Sequence, residues 1–149
     1  MNSFLKITLA IALFCVAVFT QAEQKEVFGD FEVHYSIIPT SFIPQEAARA
    51  YKIVRAGNRM LLNISVRRLT PDDPLNETAA QAATVSAVRH DLMRPFDLDF
   101  NEIKEPGAIY YVSDFPALNE ELSRFKVKVQ VPEQPLFEFE FIKKMYVEK

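Results

Sequence analysis

Apolar and polar residues alternate with a period of two at several places along the chain, and each place predicts a β-strand whose two faces meet different surroundings. In Phe31-Glu32-Val33-His34-Tyr35-Ser36-Ile37 the odd positions are apolar, so Phe31, Val33, Tyr35 and Ile37 are expected in the core and His34 on the outer face. Phe125 to Val131 and Phe137 to Phe141 repeat the pattern on either side of Pro132-Glu133-Gln134-Pro135, a turn signal, and so predict a hairpin. Setting Val127 opposite Phe139 and Phe125 opposite Phe141 places Lys128 across from Glu138 and Lys126 across from Glu140, which matches charges on the solvent face. Met60 to Leu69, Phe96 to Phe100 and Ala108 to Ser113 read as further strands, the last entered from the tight turn Pro106-Gly107. Thr78 to Met93 has residues suited to either element and is read as a strand from about Ala82, because its neighbours are strands. A short helical insertion is expected near Pro44 to Tyr51, with Pro44 at the first helical position and Glu46 at the positive end. The sum is an all-β chain of about seven strands, best arranged as a sandwich of two antiparallel sheets.

The first 22 residues depart from this pattern. Lys6 gives a positive start, Ile7 to Phe19 is apolar apart from Thr8, and Thr20-Gln21-Ala22 ends in a small residue, the arrangement of a cleavable secretory signal. The expected mature domain is therefore 23–149, a single unit of 127 residues with no membrane span after cleavage. Without Lys6 it carries 16 Lys and Arg against 20 Asp and Glu, a net charge of −4, which argues against a nucleic acid partner. The one cysteine, Cys15, lies in the signal, so thiol chemistry and Cys-ligated metals are excluded from the mature chain.

Catalytic motifs are missing in the same way. The three glycines, Gly29, Gly57 and Gly107, are isolated, so neither a P-loop nor a dinucleotide fingerprint can be assembled, and no serine sits in a G-x-S-x-G elbow. His34 and His90 are the two histidines, and they show none of the spacings that catalytic zinc favours. No cofactor, metal site or catalytic residue is assigned. The candidate contact residues are His34 on an outer strand face, Tyr51 in the helical insertion, Asp72 and Asp73 in the Pro-rich loop Thr70 to Glu77, and the pair Tyr110-Tyr111. Adjacent strand residues face opposite ways, so one ring of that pair is expected outside.

The segments Phe28 to Ser36, Phe42 to Tyr51 and Met60 to Val66, followed by Leu98 to Ile103 and Ala108 to Val112, resemble a family of small exported proteobacterial proteins known as a domain of unknown function. The chain departs from that family at Ile43, where a Thr would cap the helix, and across 78–93, where a glycine is expected. The resemblance implies an immunoglobulin-like sandwich in the periplasm and brings no activity or catalytic residues with it. The expected function is a non-catalytic interaction or accessory module of the cell envelope, its partner another envelope protein. The alternative is a carrier of a small apolar ligand held between the sheets, and an enzyme using His34 or His90 ranks last.

Overall fold

A computed structural model of the protein describes residues 24–71, 75 and 77–148; the signal segment, Asp72 and Asp73 lie outside the described residues. Ten strands occur among the described residues, where about seven were expected. They are β1 (Gln24–Phe28), β2 (Phe31–Pro39), β3 (Arg59–Leu69), β4 (Thr78–Ala80), β5 (Thr84–His90), β6 (Pro95–Leu98), β7 (Asn101–Glu105), β8 (Ala108–Pro116), β9 (Leu122–Gln130) and β10 (Phe137–Lys144). Two antiparallel sheets result: one in the order β1-β2-β3-β8-β7 with β4 also on β3, the other in the order β10-β9-β5-β6. The chain is thus the antiparallel β-sandwich that the alternation predicts.

The β9–β10 hairpin has the anticipated register, with Phe139 on Val127, Phe141 on Phe125, Glu138 on Lys128 and Glu140 on Lys126. Lys128 Nζ lies 3.0 Å from Glu138 Oε1 and Lys126 Nζ 3.3 Å from Glu140 Oε1. Thr84–His90 is a strand, which resolves the ambiguous segment in the direction taken. The expected strand Phe96–Phe100 instead stops at Leu98, because Asp99-Phe100 carries the chain from one sheet to the other, where β7 begins. Strands β1, β4 and β7 were not anticipated; β1 and β7 are polar edge strands, and β7 (NEIKE) buries only Ile103.

Between the sheets, side chains of β2, β3 and β8 meet those of β9 and β10, and Val33, Leu62, Ile64, Phe125 and Val129 are fully enclosed. Along the β1–β2/β10 side aromatic rings close the gap. Phe28 stacks on Phe137 at 4.7 Å, Tyr35 on Phe141 at 4.5 Å and Phe141 on Phe125 at 4.9 Å between centroids. Each such pair adds about 0.5–1.5 kcal/mol beyond the area it buries.

Met60-Leu61-Leu62 is buried on both faces of β3, since the outer face is covered by a 3-10 turn (Thr40–Phe42), the helix α1 (Gln45–Ala50) and the segment after it. Pro44 stands at the N-cap, one position before the first helical residue where it was expected. The helix ends in a Schellman motif: Lys52 adopts a φ of 57°, its N–H donates to Arg49 O at 3.4 Å, and Ile53 N–H donates to Ala48 O at 2.8 Å. Ile53 and Ala48 then join Leu61, Ile103 and Val112 in a second small core outside the main one.

Candidate functional site

The sandwich is closed by rings on one side and open on the other, and the strand lengths explain why. β7 pairs with β8 only from Ala108 to Val112, so Ser113–Pro116 has β3 on one edge and no strand on the other. β6, which would face that edge, belongs to the opposite sheet. Between β6 and this half of β8 lies a cleft of about 590 Å³. Phe96, Leu98, Phe115, Pro116 and Ala117 give it an apolar floor, and Leu118, 73% exposed, stands at its lip.

Arg89 occupies the floor, 5% exposed at an inward position of β5. Each of its three nitrogens has a partner: Nε donates to Ser123 Oγ at 3.1 Å, Nη1 to Pro116 O at 2.8 Å, and Nη2 pairs with Glu121. It also lies over the rings of Phe115, at 5.0 Å, and Phe96, at 5.8 Å. The other carboxylate oxygen of Glu121 accepts the Leu118 N–H at 2.8 Å and fixes the lip. Arg59 does a parallel job above, donating from Nε to Asp114 Oδ2 at 2.9 Å and from Nη2 to Asp114 O at 3.1 Å. Since Ala117 N–H bonds Asn58 O, the alternation of an antiparallel ladder turns the backbone groups of Asp114 and Pro116 toward the strandless edge. Two arginines therefore cap the carbonyls that a neighbouring strand would have taken.

The charges around the cleft are unbalanced. Asp91, Asp97, Asp99, Asp114 and Glu121 line it against Arg89 alone, which makes the opening electronegative. Asp114 and Glu121 are neutralised by Arg59 and Arg89. Asp91 Oδ1 accepts the backbone N–H groups of Met93, at 2.7 Å, and Arg94, at 2.9 Å, which forms the β5–β6 turn. Those bonds hold its carboxyl below the usual range, the one from Arg94 most of all. Asp97 and Asp99 are exposed, and no cation pairs with either among the described residues. Arg94 stacks on Phe96 at 4.6 Å, so a guanidinium already rests on a ring of the cleft wall.

The residues singled out from sequence lie elsewhere. His34 is on the outer face of β2, its Nε2 2.9 Å from Glu32 Oε2. Glu32 in turn accepts a hydrogen bond from Lys25 Nζ at 2.6 Å, and that bond above all holds its carboxyl below the ordinary value. Tyr51 donates to Glu105 Oε1 at 2.8 Å, which raises its phenol pKa, and packs with Tyr110 against the second core. Tyr110 is thus the outward member of its pair. Tyr111 points between the sheets, 4% exposed, where its hydroxyl accepts the Ala83 N–H at 2.8 Å and burial raises its pKa. As a core residue it offers no contact surface. His34 and His90 stand on outer faces of different sheets, so no site can use both. Among the described residues no three His, Cys, Asp or Glu side chains group as a metal would require.

Sequence reasoning missed Arg89, Glu121, Phe96 and Phe115. A signal existed for the first: with Val85 and Ala87 inward by period two, Arg89 is inward too, and an arginine in a core position needs a built partner.

A domain of unknown function, DUF4426, matches residues 25–148. Among solved structures, a DUF4426 family protein from Pseudomonas aeruginosa PAO1 is 28% identical, with a TM-score of 0.74 over 88% of this chain and 100% of that one. A copper-bound variant of FetP from uropathogenic Escherichia coli strain F11 is 10% identical, with a TM-score of 0.55 over 86% of this chain and 92% of that one. The FetP of the same strain in its 'as isolated' state, recombinantly expressed in the periplasm of E. coli BL21(DE3), gives 10%, 0.57, 85% and 95% respectively. The FetP likeness is one of fold. No curated protein matches the chain.

Proposed function

The chain belongs to the DUF4426 family, and from that premise we propose that it is a non-catalytic interaction module of the cell envelope, exported by its signal segment, which docks a partner protein in the cleft between β6 and β8. One observation carries this reading. The sandwich is sealed by stacked rings on one side and held open on the other by a buried arginine bonded to Ser123, Pro116 and Glu121, so the opening is built into the fold. A cleft with an apolar floor, a polar rim and a fixed shape is what a docking site needs.

The test is photocrosslinking in living cells with a crosslinking amino acid at Leu118, and at Lys128 on the outer face of β9 as control. A discrete adduct from Leu118 alone is expected; no adduct from Leu118, or the same adducts from both positions, removes the reading. A small apolar ligand is the second reading, favoured by the size of the cleft and by Phe96, Leu98 and Phe115 in its floor. Native mass spectrometry of protein taken from cells, showing a bound mass that disappears in Phe96→Asp, would select it.

A further inference from the structure

If the cleft is the docking site, its charge specifies what it docks. We propose that the occupant is an extended, cationic segment of the partner, with an apolar side chain on the Phe96–Leu98–Phe115 floor and Lys or Arg side chains at Asp97 and Asp99. The inference rests on the docking reading above and adds the chemistry of the partner. Two carboxylates with no cation of their own flank an apolar floor, and the charge of the arginine on that floor is already met by Glu121. An acidic segment would be repelled by Asp97 and Asp99, and a neutral one would leave both carboxylates unanswered. Asp97 stands in β6 and Asp99 just past its end, where the chain leaves for the other sheet, so the two carboxylates lie at neighbouring points of one rim. The chain itself shows that these walls accept a cation, since Arg94 and Arg89 both lie on Phe96. A segment added by backbone pairing to β8 is disfavoured by the same geometry, because Arg59 and Arg89 hold the carbonyls of Asp114 and Pro116. Side chains are therefore what the cleft reads.

The test uses the isotopically labelled mature protein and two short synthetic peptides, one alternating Leu and Lys, the other alternating Leu and Glu. Amide shifts within Phe96 to Asn101 and Ser113 to Leu118 are expected with the Lys peptide only. Its affinity should fall as salt is raised, and fall about fivefold in Asp97→Asn/Asp99→Asn, whose urea midpoint should match the parent protein. Equal binding of both peptides, shifts confined to other surfaces, or an affinity indifferent to salt and to the double variant would overturn the proposal. A partner crosslinked at Leu118 together with no preference for the Lys peptide would sink the charge assignment alone. The Lys peptide bound in the cleft with no adduct in cells would instead remove the docking reading.

Discussion

Replacing Arg89 with Met should be among the most costly single changes to this fold. The methionine keeps an apolar stem between Phe96 and Phe115, so the packing loss is small; the polar loss is not. Glu121, with a side chain 10% exposed, is left as a buried carboxylate without its cation, and Pro116 O and Ser123 Oγ lose a donor. Removing one partner of a buried pair costs about 3–5 kcal/mol. With a urea slope near 2 kcal/mol per molar for a domain of this size, the unfolding midpoint should drop by about 2 M. Arg89→Met/Glu121→Gln removes the stranded charge while Gln still accepts the Leu118 N–H, so the double variant should recover roughly half the loss, the rest reflecting the unpaired Pro116 carbonyl. Urea denaturation followed by circular dichroism, with slopes compared across the variants, reads both numbers. A single variant within about 1 kcal/mol of the parent, or a double variant no better than the single, would refute the view that the pair holds the cleft floor.

Lys52→Gly should stabilise the protein by about 0.5–1 kcal/mol in thermal or urea unfolding, since Lys52 takes a left-handed φ of 57° that glycine adopts without strain. Phe125→Ala should cost about 3–5 kcal/mol, because the ring is fully enclosed and touches both Phe115 and Phe141. Glu32 should titrate by NMR below the ordinary carboxylate range; its folded pKa is depressed, so its contribution to stability is complete above the unfolded value near 4.3 and is lost as pH falls through the folded one. Lys25→Ala should move that titration back up, and an unmoved Glu32 would contradict the assigned cause. Mass spectrometry of protein recovered from the envelope should give a mature chain starting at Glu23, and a mass retaining residues 1–22 would overturn the cleavage expected from the signal.

Where strand faces differ sharply, the sequence was legible down to register. Phe137-Glu138-Phe139-Glu140-Phe141 against Phe125-Lys126-Val127-Lys128-Val129 excludes a slip by one residue, which would set rings against charges, and the observed register is the one that pairs Lys128 with Glu138 and not with Glu140. Strands β1 and β7 were not legible, because their side chains are mostly solvated on both faces, so the alternation that marks a strand is absent from them, whereas the edge strand β10 keeps it. The cleft was hidden for another reason. It arises from a mismatch in strand length between β7 and β8 and from the change of sheet at Asp99-Phe100, both properties of topology. Contact residues chosen for their chemistry alone, such as Tyr51 and Tyr111, proved to be committed to hydrogen bonds that hold the fold together.

The guanidinium caps on β8 also bear on how this chain lives at high concentration. A half-strand with free carbonyls is a template on which a second molecule can crystallise its own edge, and sandwiches with such an edge tend toward fibres and swapped dimers. Arg59 and Arg89 occupy the acceptors of Asp114 and Pro116, and Pro116 has no N–H to offer, which leaves the Asp114 N–H as the one backbone donor of these two residues on that edge. The domain can keep one flank open with few free acceptors for a second copy to pair with, and the variants that lose these arginines should be the ones that aggregate.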